Sequence, residues 1–411
     1  MTAPRKDPYA ALRYREFRLL IFGGLINTIA LLVQEVALSY ELYRLTHDPL
    51  VLGLLGLAEA IPFMALALFG GHLADRRERR GLMLASLTVI LCGSGVLWWA
   101  TQAAIAQTTL VWISYGVIGL LGFARGIYSP ATASLKPFLV PREHYGNSAT
   151  WSSTFWQAGA IAGPLLAGLL YAALGIHDTL LVVMLLFALN IAIISGISRR
   201  PPADAPEAHE NIWSSLAEGI AYVRNNQAIL YAISLDMFSV LFGGVVAILP
   251  VFAQDILTVG PQGLGLLRAA PAVGAMITVV ACAWWPPMER AWRNLLYAVA
   301  GFGVATLVFG VSTNLWLSAA ALFATGAFDS ISVIIRSTLL QALPPEHLRG
   351  RVISVNSIFI SASNELGAFE SGTAARLMGA VPSVLAGAAV TLVTVAWVWR
   401  KSAGLLKQKL I

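Results

Sequence analysis

Acidic and basic side chains stand in stretches that are otherwise almost wholly apolar. Glu35, Glu59, Asp236, Asp329, Glu365 and Glu370, with Arg125, Arg268 and Arg336, fall inside long hydrophobic runs. At the lipid-facing centre of a membrane helix, each such charge costs about 2.5–3.5 kcal/mol on insertion scales. These groups must therefore face a cavity, one another or backbone carbonyls. Two chemistries suit them. A carboxyl group shielded from water favours its neutral form, and can change protonation as its access to solvent alternates. A guanidinium suits an anionic or catechol-like substrate. Glu35 and Asp236 are the first candidates for proton coupling, joined by Asp329 and Glu365. Arg125, Arg336, Arg268, Glu59 and Glu370 are candidates for substrate binding. The competing reading is structural: the charges pair and hold helices together. All six histidines fall at loops or at the ends of the apolar runs, so carboxylates rather than a histidine relay are the proton carriers to consider.

Long apolar elements must position these groups. Of the 411 residues, 57% are hydrophobic and only 12% charged, against about 25% charged in a soluble domain. That balance excludes an ordinary soluble enzyme, a disordered chain and a small disulfide scaffold. No Asp, Glu, Lys or Arg occurs from Gly81 to Ala124, from His144 to His177, from Asn294 to Phe328 or from Leu377 to Trp399. Since about 20 apolar residues cross a bilayer as helix, the pattern predicts an all-α polytopic membrane protein. The twelve predicted spans are Phe17–Tyr43, Leu50–Ala74, Leu82–Ala103, Thr108–Leu135, Asn147–Leu174, Thr179–Ser198, Gln227–Ile256, Gly263–Trp285, Leu295–Ser312, Leu315–Ala342, Val352–Met378 and Val381–Trp399. Trp98, Trp99, Trp112, Trp284, Trp285, Trp397 and Trp399 near span ends read as interface anchors. Cys92 and Cys282 read as small core residues, and no metal or cofactor site is expected.

The basic residues orient the spans. Twenty-two of the 27 Lys and Arg residues fall on one side, before span 1, after spans 2, 4, 8 and 10, in the central loop and at the C-terminus. The positive-inside rule then predicts cytoplasmic termini. The net charge of +6 reflects this bias and not a nucleic-acid surface. The basic N-terminus runs into a long apolar helix without a small-residue cleavage site, so no cleavable signal is expected. Three regions follow: a six-helix bundle over 1–198, a cytoplasmic central loop over 199–226, and a second six-helix bundle over 227–411. In the loop, Trp213, Leu216, Ile220 and Val223 recur at helical spacing, and Ser215 with Glu218 matches a capping box. They predict a short amphipathic helix on the cytoplasmic membrane face.

The two bundles echo each other. Leu52-Gly53-Leu54-Leu55 in span 2 recurs as Leu264-Gly265-Leu266-Leu267 in span 8. Pro141-Arg142-Glu143-His144 after span 4 recurs as Pro344-Pro345-Glu346-His347 after span 10. Arg125 and Asp329 hold matching places and are expected to pair across a pseudo-twofold axis. Parallel repeats of this kind place a substrate site between the halves in one large class of transporters.

Gly71-His72-Leu73-Ala74-Asp75-Arg76-Arg77-Glu78-Arg79-Arg80 resembles the signature between spans 2 and 3 of the major facilitator superfamily. The resemblance implies two pseudo-symmetric bundles, with helices 1, 4, 7 and 10 lining a central cavity. It also implies a conformational latch at Gly71, Asp75, Arg76 and Arg79. The corresponding loop of the second half, Trp284-Trp285-Pro286-Pro287-Met288-Glu289-Arg290, lacks the Gly and Asp, so a symmetric second latch is not expected. Gly159, Gly163-Pro164 and Gly168 partly match the antiporter signature of span 5, with Gly163 and Pro164 as a helix bend. Tyr14-Arg15-Glu16-Phe17-Arg18, Thr46-His47-Asp48, Leu266-Leu267-Arg268-Ala269-Ala270-Pro271 and Leu348-Arg349-Gly350-Arg351-Val352 are similar to the enterobactin-exporter branch, which also holds macrolide-type efflux proteins.

The resemblance thus implies a secondary transporter of the bacterial cytoplasmic (inner) membrane, a proton-coupled exporter of a siderophore-like or drug-like small molecule. Its expected partners are that substrate, protons and the lipid bilayer, with no nucleic acid and a monomeric state. A broad multidrug or macrolide efflux protein and a non-transporting membrane receptor of the same fold are the alternatives. An enzyme is not expected: the chain has no Gly-x-Ser-x-Gly elbow, His-Glu-x-x-His motif or phosphate-binding P-loop.

Overall fold

The computed structural model describes residues 7–103, 105–199 and 212–407, with the side chains at 67–76, 212–215 and 407 outside the description. Among the described residues the secondary structure is helical, with no strand. Twelve principal helices follow in order: α1 Arg15–Thr46, α2 Pro49–Arg76, α3 Arg79–Gln102, α4 Gln107–Leu135, α5 Tyr145–Ser195, α6 Ile212–Asn225, α7 Gln227–Gly243, α8 Gly260–Trp284, α9 Ala291–Val311, α10 Leu315–Ala342, α11 Glu346–Met378 and α12 Ala380–Lys401. Among the described residues, ten stretches are long and apolar enough to cross a membrane. In lipid the backbone has no other donors or acceptors to use, so apolar runs become helices.

Local chemistry sets the ends. Asn226 begins α7, its side chain accepting from the Ile229 N–H, and Asn314 does the same for Trp316 and Leu317 at α10. Gly379, at φ +94°, turns the chain between α11 and α12. Gly175 lies inside α5 with φ +74° and ψ −179°, which divides that helix into two limbs where spans 5 and 6 were expected to part.

Span 7 differs from the uninterrupted segment the sequence predicted. α7 stops at Gly243, a 3-10 turn follows at Val246–Ile248, and a π-helical turn closes the segment at Phe252–Ile256. Irregular backbone at membrane depth needs substitute partners. The Ser371 hydroxyl donates to the Gly244 carbonyl at 2.8 Å, and Arg268 donates to the Val246 carbonyl at 3.2 Å.

The chain divides into two compact units, one of Met1–Glu41 and Ala58–Pro206, the other of Leu42–Leu57 and Glu207–Ile411. In the first, Phe17, Leu20, Met83, Leu87, Leu135 and Ile194 form a core shared by α1, α3, α4 and α5. In the second, Leu235, Trp292, Leu295, Ile335, Leu339 and Val398 join α7, α9, α10 and α12. The predicted amphipathic helix exists as α6, but it docks on protein. Gly219 lies against the Arg351 carbonyl and Val355 of α11, Glu218 pairs with Arg351, and the Tyr222 hydroxyl donates to the Leu343 carbonyl at 3.0 Å. Glu218 is thus used in an ion pair, and the Ser215 side chain lies outside the described residues.

The cysteines correct one expectation. Cys92 is exposed and Cys282 only partly covered. A bilayer is itself an apolar solvent, so a small hydrophobe in a membrane helix can face lipid as readily as core. The exposed Trp99, Trp112, Trp284, Trp285 and Trp397 fit the same environment, whereas Trp98 stacks on His177 and Trp399 leans on Tyr297.

Candidate functional site

In the first unit, two glycines of α4 decide where a charge goes. A Cβ at Gly119 would press on the Ala58 carbonyl, and one at Gly122 would collide with the Glu59 carbonyl. With no side chains between them, α4 and α2 run backbone to backbone at this crossing. Arg125 follows Gly122 by one turn, on the same face, and its guanidinium forms an ion pair with Glu59. Phe63, one turn beyond Glu59, lies 5.8 Å from the guanidinium. The pair is partly open, with side-chain exposures of 40% for Arg125 and 20% for Glu59.

In the second unit, Asp236 of α7 pairs with Arg336 of α10, and their side chains are only 7% and 3% exposed. Apolar neighbours seal the pair: Ala232 and Leu235 on α7 and Ile335 and Leu339 on α10 belong to one cluster. The two helices are brought together by this packing, and the ion pair sits within it. α10 also crosses α8 through glycines. A Cβ at Gly326 would collide with the Pro271 carbonyl, and one at Gly274 with the Phe323 carbonyl.

Other candidates are distributed around these crossings. Arg125, matched to Asp329 by the repeat, pairs with Glu59. Asp329 is partly buried and takes part in no hydrogen bond or ion pair among the described residues, as does Glu370 on α11. Glu35 on α1 and Glu365 on α11 are partly buried and engaged in polar interactions. The Glu365 carboxylate lies near Gly56 of α2. Arg268 on α8 binds the Val246 carbonyl in the broken span.

Of the latch residues, Gly71, Asp75 and Arg76 have side chains outside the described residues, although their backbone is helical. Arg79 is buried, its guanidinium 4.6 Å from the Phe138 ring centre. Gly163 and Pro164 lie within helical backbone, and Gly175 is the non-helical position of α5. Gly159 and Gly163 abut Thr28 and Leu32 of α1, a close helix contact.

Two carboxylates bound by tyrosines escaped the sequence reading. Glu41 is 5% exposed and accepts from the Tyr171 hydroxyl. Asp255 accepts from the Tyr43 hydroxyl. Both carry the same signal as the residues that were recognised, an acid within an apolar run. Asp48 also meets Arg376 at 3.4 Å in the second unit.

Residues 20–368 match the Major Facilitator Superfamily profile. The chain belongs to this superfamily. It is 22% identical to macrolide efflux protein A of Streptococcus pyogenes over 367 residues, covering 87% of this chain and 88% of that protein. It is 26% identical to the enterobactin exporter EntS of Citrobacter koseri over 339 residues, or 82% of this chain and 79% of the exporter. Among solved structures, the nucleoside transporter NupG gives a TM-score of 0.71 at 13% identity, covering 96% of this chain and 99% of that one. A bacterial homologue of the human lysosomal transporter Spinster gives 0.73 at 15% identity, covering 96% and 98%. These structures share the major facilitator fold. The chain is thus a major facilitator transporter with efflux proteins among its relatives.

Proposed function

We propose that this chain is a proton-coupled exporter that moves a small molecule out across the bacterial cytoplasmic membrane by alternating access. The relatives named as efflux and exporter proteins support the direction. The observation that carries the coupling is the sealed Asp236–Arg336 pair. A buried ion pair is a poor stabiliser, because desolvating two charges offsets most of their attraction. Its use here is as a switch: a proton on Asp236 removes the attraction and frees Arg336, so protonation changes how α7 holds α10. Glu35, Asp329 and Glu365 are further proton carriers in this reading, and Glu59 and Glu370 stand near the substrate. The moving bodies are 1–198 and 227–411, joined through 199–226 on the cytoplasmic side, and the protein works as a monomer.

The test separates switch from scaffold. Asp236→Leu combined with Arg336→Leu removes both charges and leaves an apolar contact. The double variant is expected to stay folded in detergent, but to lose protonophore-sensitive export of a macrolide and catecholate panel from cells. Export by the double variant that remains at the wild-type rate and still responds to the protonophore would overturn the coupling role.

A further inference from the structure

Each unit ties the start of one helix to the end of another at its basic end, but with different side chains. In the first unit, Arg80 near the start of α3 donates to the Ser195 carbonyl at the end of α5, at 2.7 Å. In the second, Trp292 near the start of α9 donates its indole N–H to the Ser402 hydroxyl just beyond α12, at 2.8 Å. The register that matches Leu52–Leu55 to Leu264–Leu267 also matches Arg80 to Trp292. It sets Arg293 and Tyr297 where the first unit has Gly81 and Ala85. The second unit thus makes its tie without an arginine, and adds an arginine and an aromatic ring beside it.

Arg293 is not used to hold helices together. It makes no hydrogen bond or ion pair among the described residues, and its Nε has no acceptor. Its guanidinium stands 5.8 Å from the centre of the Tyr297 ring. That ring lies 5.5 Å from the Trp399 ring of α12. Tyr297 is exposed, so the aromatic shelf across α9 and α12 faces outward. Arg290, Arg400 and Lys401 are exposed at the same end, and none has a carboxylate partner among the described residues. Glu289 is the one acid of the loop before α9, and no Asp or Glu follows Glu370. Along α9, Val304, Val308 and Val311 are exposed at helical spacing from Tyr297 and continue its face.

Cations at one end, aromatic rings behind them and an apolar strip beyond match an amphiphile with a negative head. Aromatic anchors alone have no preference for charge, and cations alone have none for a hydrocarbon chain. The corner joins both, on the face that the charge bias assigns to the cytoplasm, where the leaflet carries anionic lipid.

We propose that the corner between α9 and α12 binds one anionic glycerophospholipid, its phosphate on Arg293 and its acyl chains along the valine strip. A guanidinium donates to two phosphate oxygens side by side. Tyr297 and Trp399 carry the glycerol region at the interface. Arg400 and Lys401 add the field that favours a negative headgroup over a neutral one.

Native mass spectrometry of the purified full-length protein in neutral detergent tests the proposal, with phosphatidylglycerol and phosphatidylcholine of the same chains. Wild type is expected to retain one phosphatidylglycerol about tenfold more tightly than phosphatidylcholine. Arg293→Gln should bind phosphatidylglycerol about tenfold more weakly and phosphatidylcholine as before. Without added lipid its melting temperature should stay near wild type, since no ion pair is lost. Arg400→Gln combined with Lys401→Gln leaves Arg293 and its packing in place, and should weaken phosphatidylglycerol severalfold. Arg142→Gln removes an exposed arginine of the other unit, changes net charge as Arg293→Gln does, and should bind as wild type. Wild-type retention of phosphatidylglycerol by Arg293→Gln or by the Arg400 and Lys401 variant overturns the site. So does an equal loss in Arg142→Gln, which would assign the preference to net charge. Inorganic phosphate held through Arg293, with no preference between the two lipids, would make this a small-anion site and overturn the lipid as its occupant.

Discussion

Asp236 and Glu59 bear the same kind of group in the same kind of helix, yet their environments set different energies for losing it. Asp236 is sealed with Arg336, so Asp236→Asn strands a buried guanidinium. The expected loss is about 3–5 kcal/mol, read as a marked fall in melting temperature of the purified protein. Glu59→Gln leaves a guanidinium that is only partly covered, and the expected loss is clearly smaller than at Asp236. Similar destabilisation at both positions would contradict this contrast. The sequence marked both acids and both arginines, because a charge in an apolar run stands out in one dimension. It did not disclose their partners. Arg125 was matched to Asp329 through the repeat, whereas its partner is fixed by the contact of Gly122 with Glu59, which depends on how two helices cross. Glu41 and Asp255 were overlooked because they stand near the ends of their apolar runs, and the tyrosines that hold them, Tyr171 and Tyr43, are distant in sequence.

Helix crossings in this protein depend on missing side chains. Gly122→Ala and Gly326→Ala each put a methyl group into a facing backbone carbonyl. Each is expected to cost about 1–3 kcal/mol by overpacking. Gly116→Ala, with open space around it, should be neutral or slightly stabilising because alanine favours helix. Thermal unfolding of the three variants checks the ranking, which fails if Gly116→Ala is the most disruptive. Ser371→Ala leaves the Gly244 carbonyl without its donor and should cost about 1–3 kcal/mol, read by faster amide exchange around residues 240–250. Element existence was largely legible from the apolar runs, including the division at Gly175. The interruption of span 7 was not, since hydropathy does not change at Gly243-Gly244. Its stability comes from Ser371 and Arg268, which are distant in sequence.

At the scale of the whole molecule, the charge bias predicts which face each loop occupies. With Cys92 and Cys282 replaced by alanine, a cysteine at Lys401 should react with a membrane-impermeant thiol reagent in inside-out vesicles and not in intact spheroplasts. The reverse pattern would invert the topology. The fold class was readable from composition because lipid leaves so few alternatives. The grouping of Leu42–Leu57 with the C-terminal residues was not readable, since it arises from contacts such as Tyr43–Asp255 and Asp48–Arg376. One helix also bears on how the chain reaches its membrane. α11 is 33 residues long but is absent from the ten stretches apolar enough to cross by themselves. Gly367 of α11 lies on the Val240 and Leu241 backbone of α7, and its Ser371 binds the loop that follows α7. During synthesis α11 must therefore be received by helices made earlier, and its insertion is an act of assembly as much as of partitioning. Placed alone in a glycosylation reporter it should enter the bilayer poorly, and preceded by α7–α10 it should enter well.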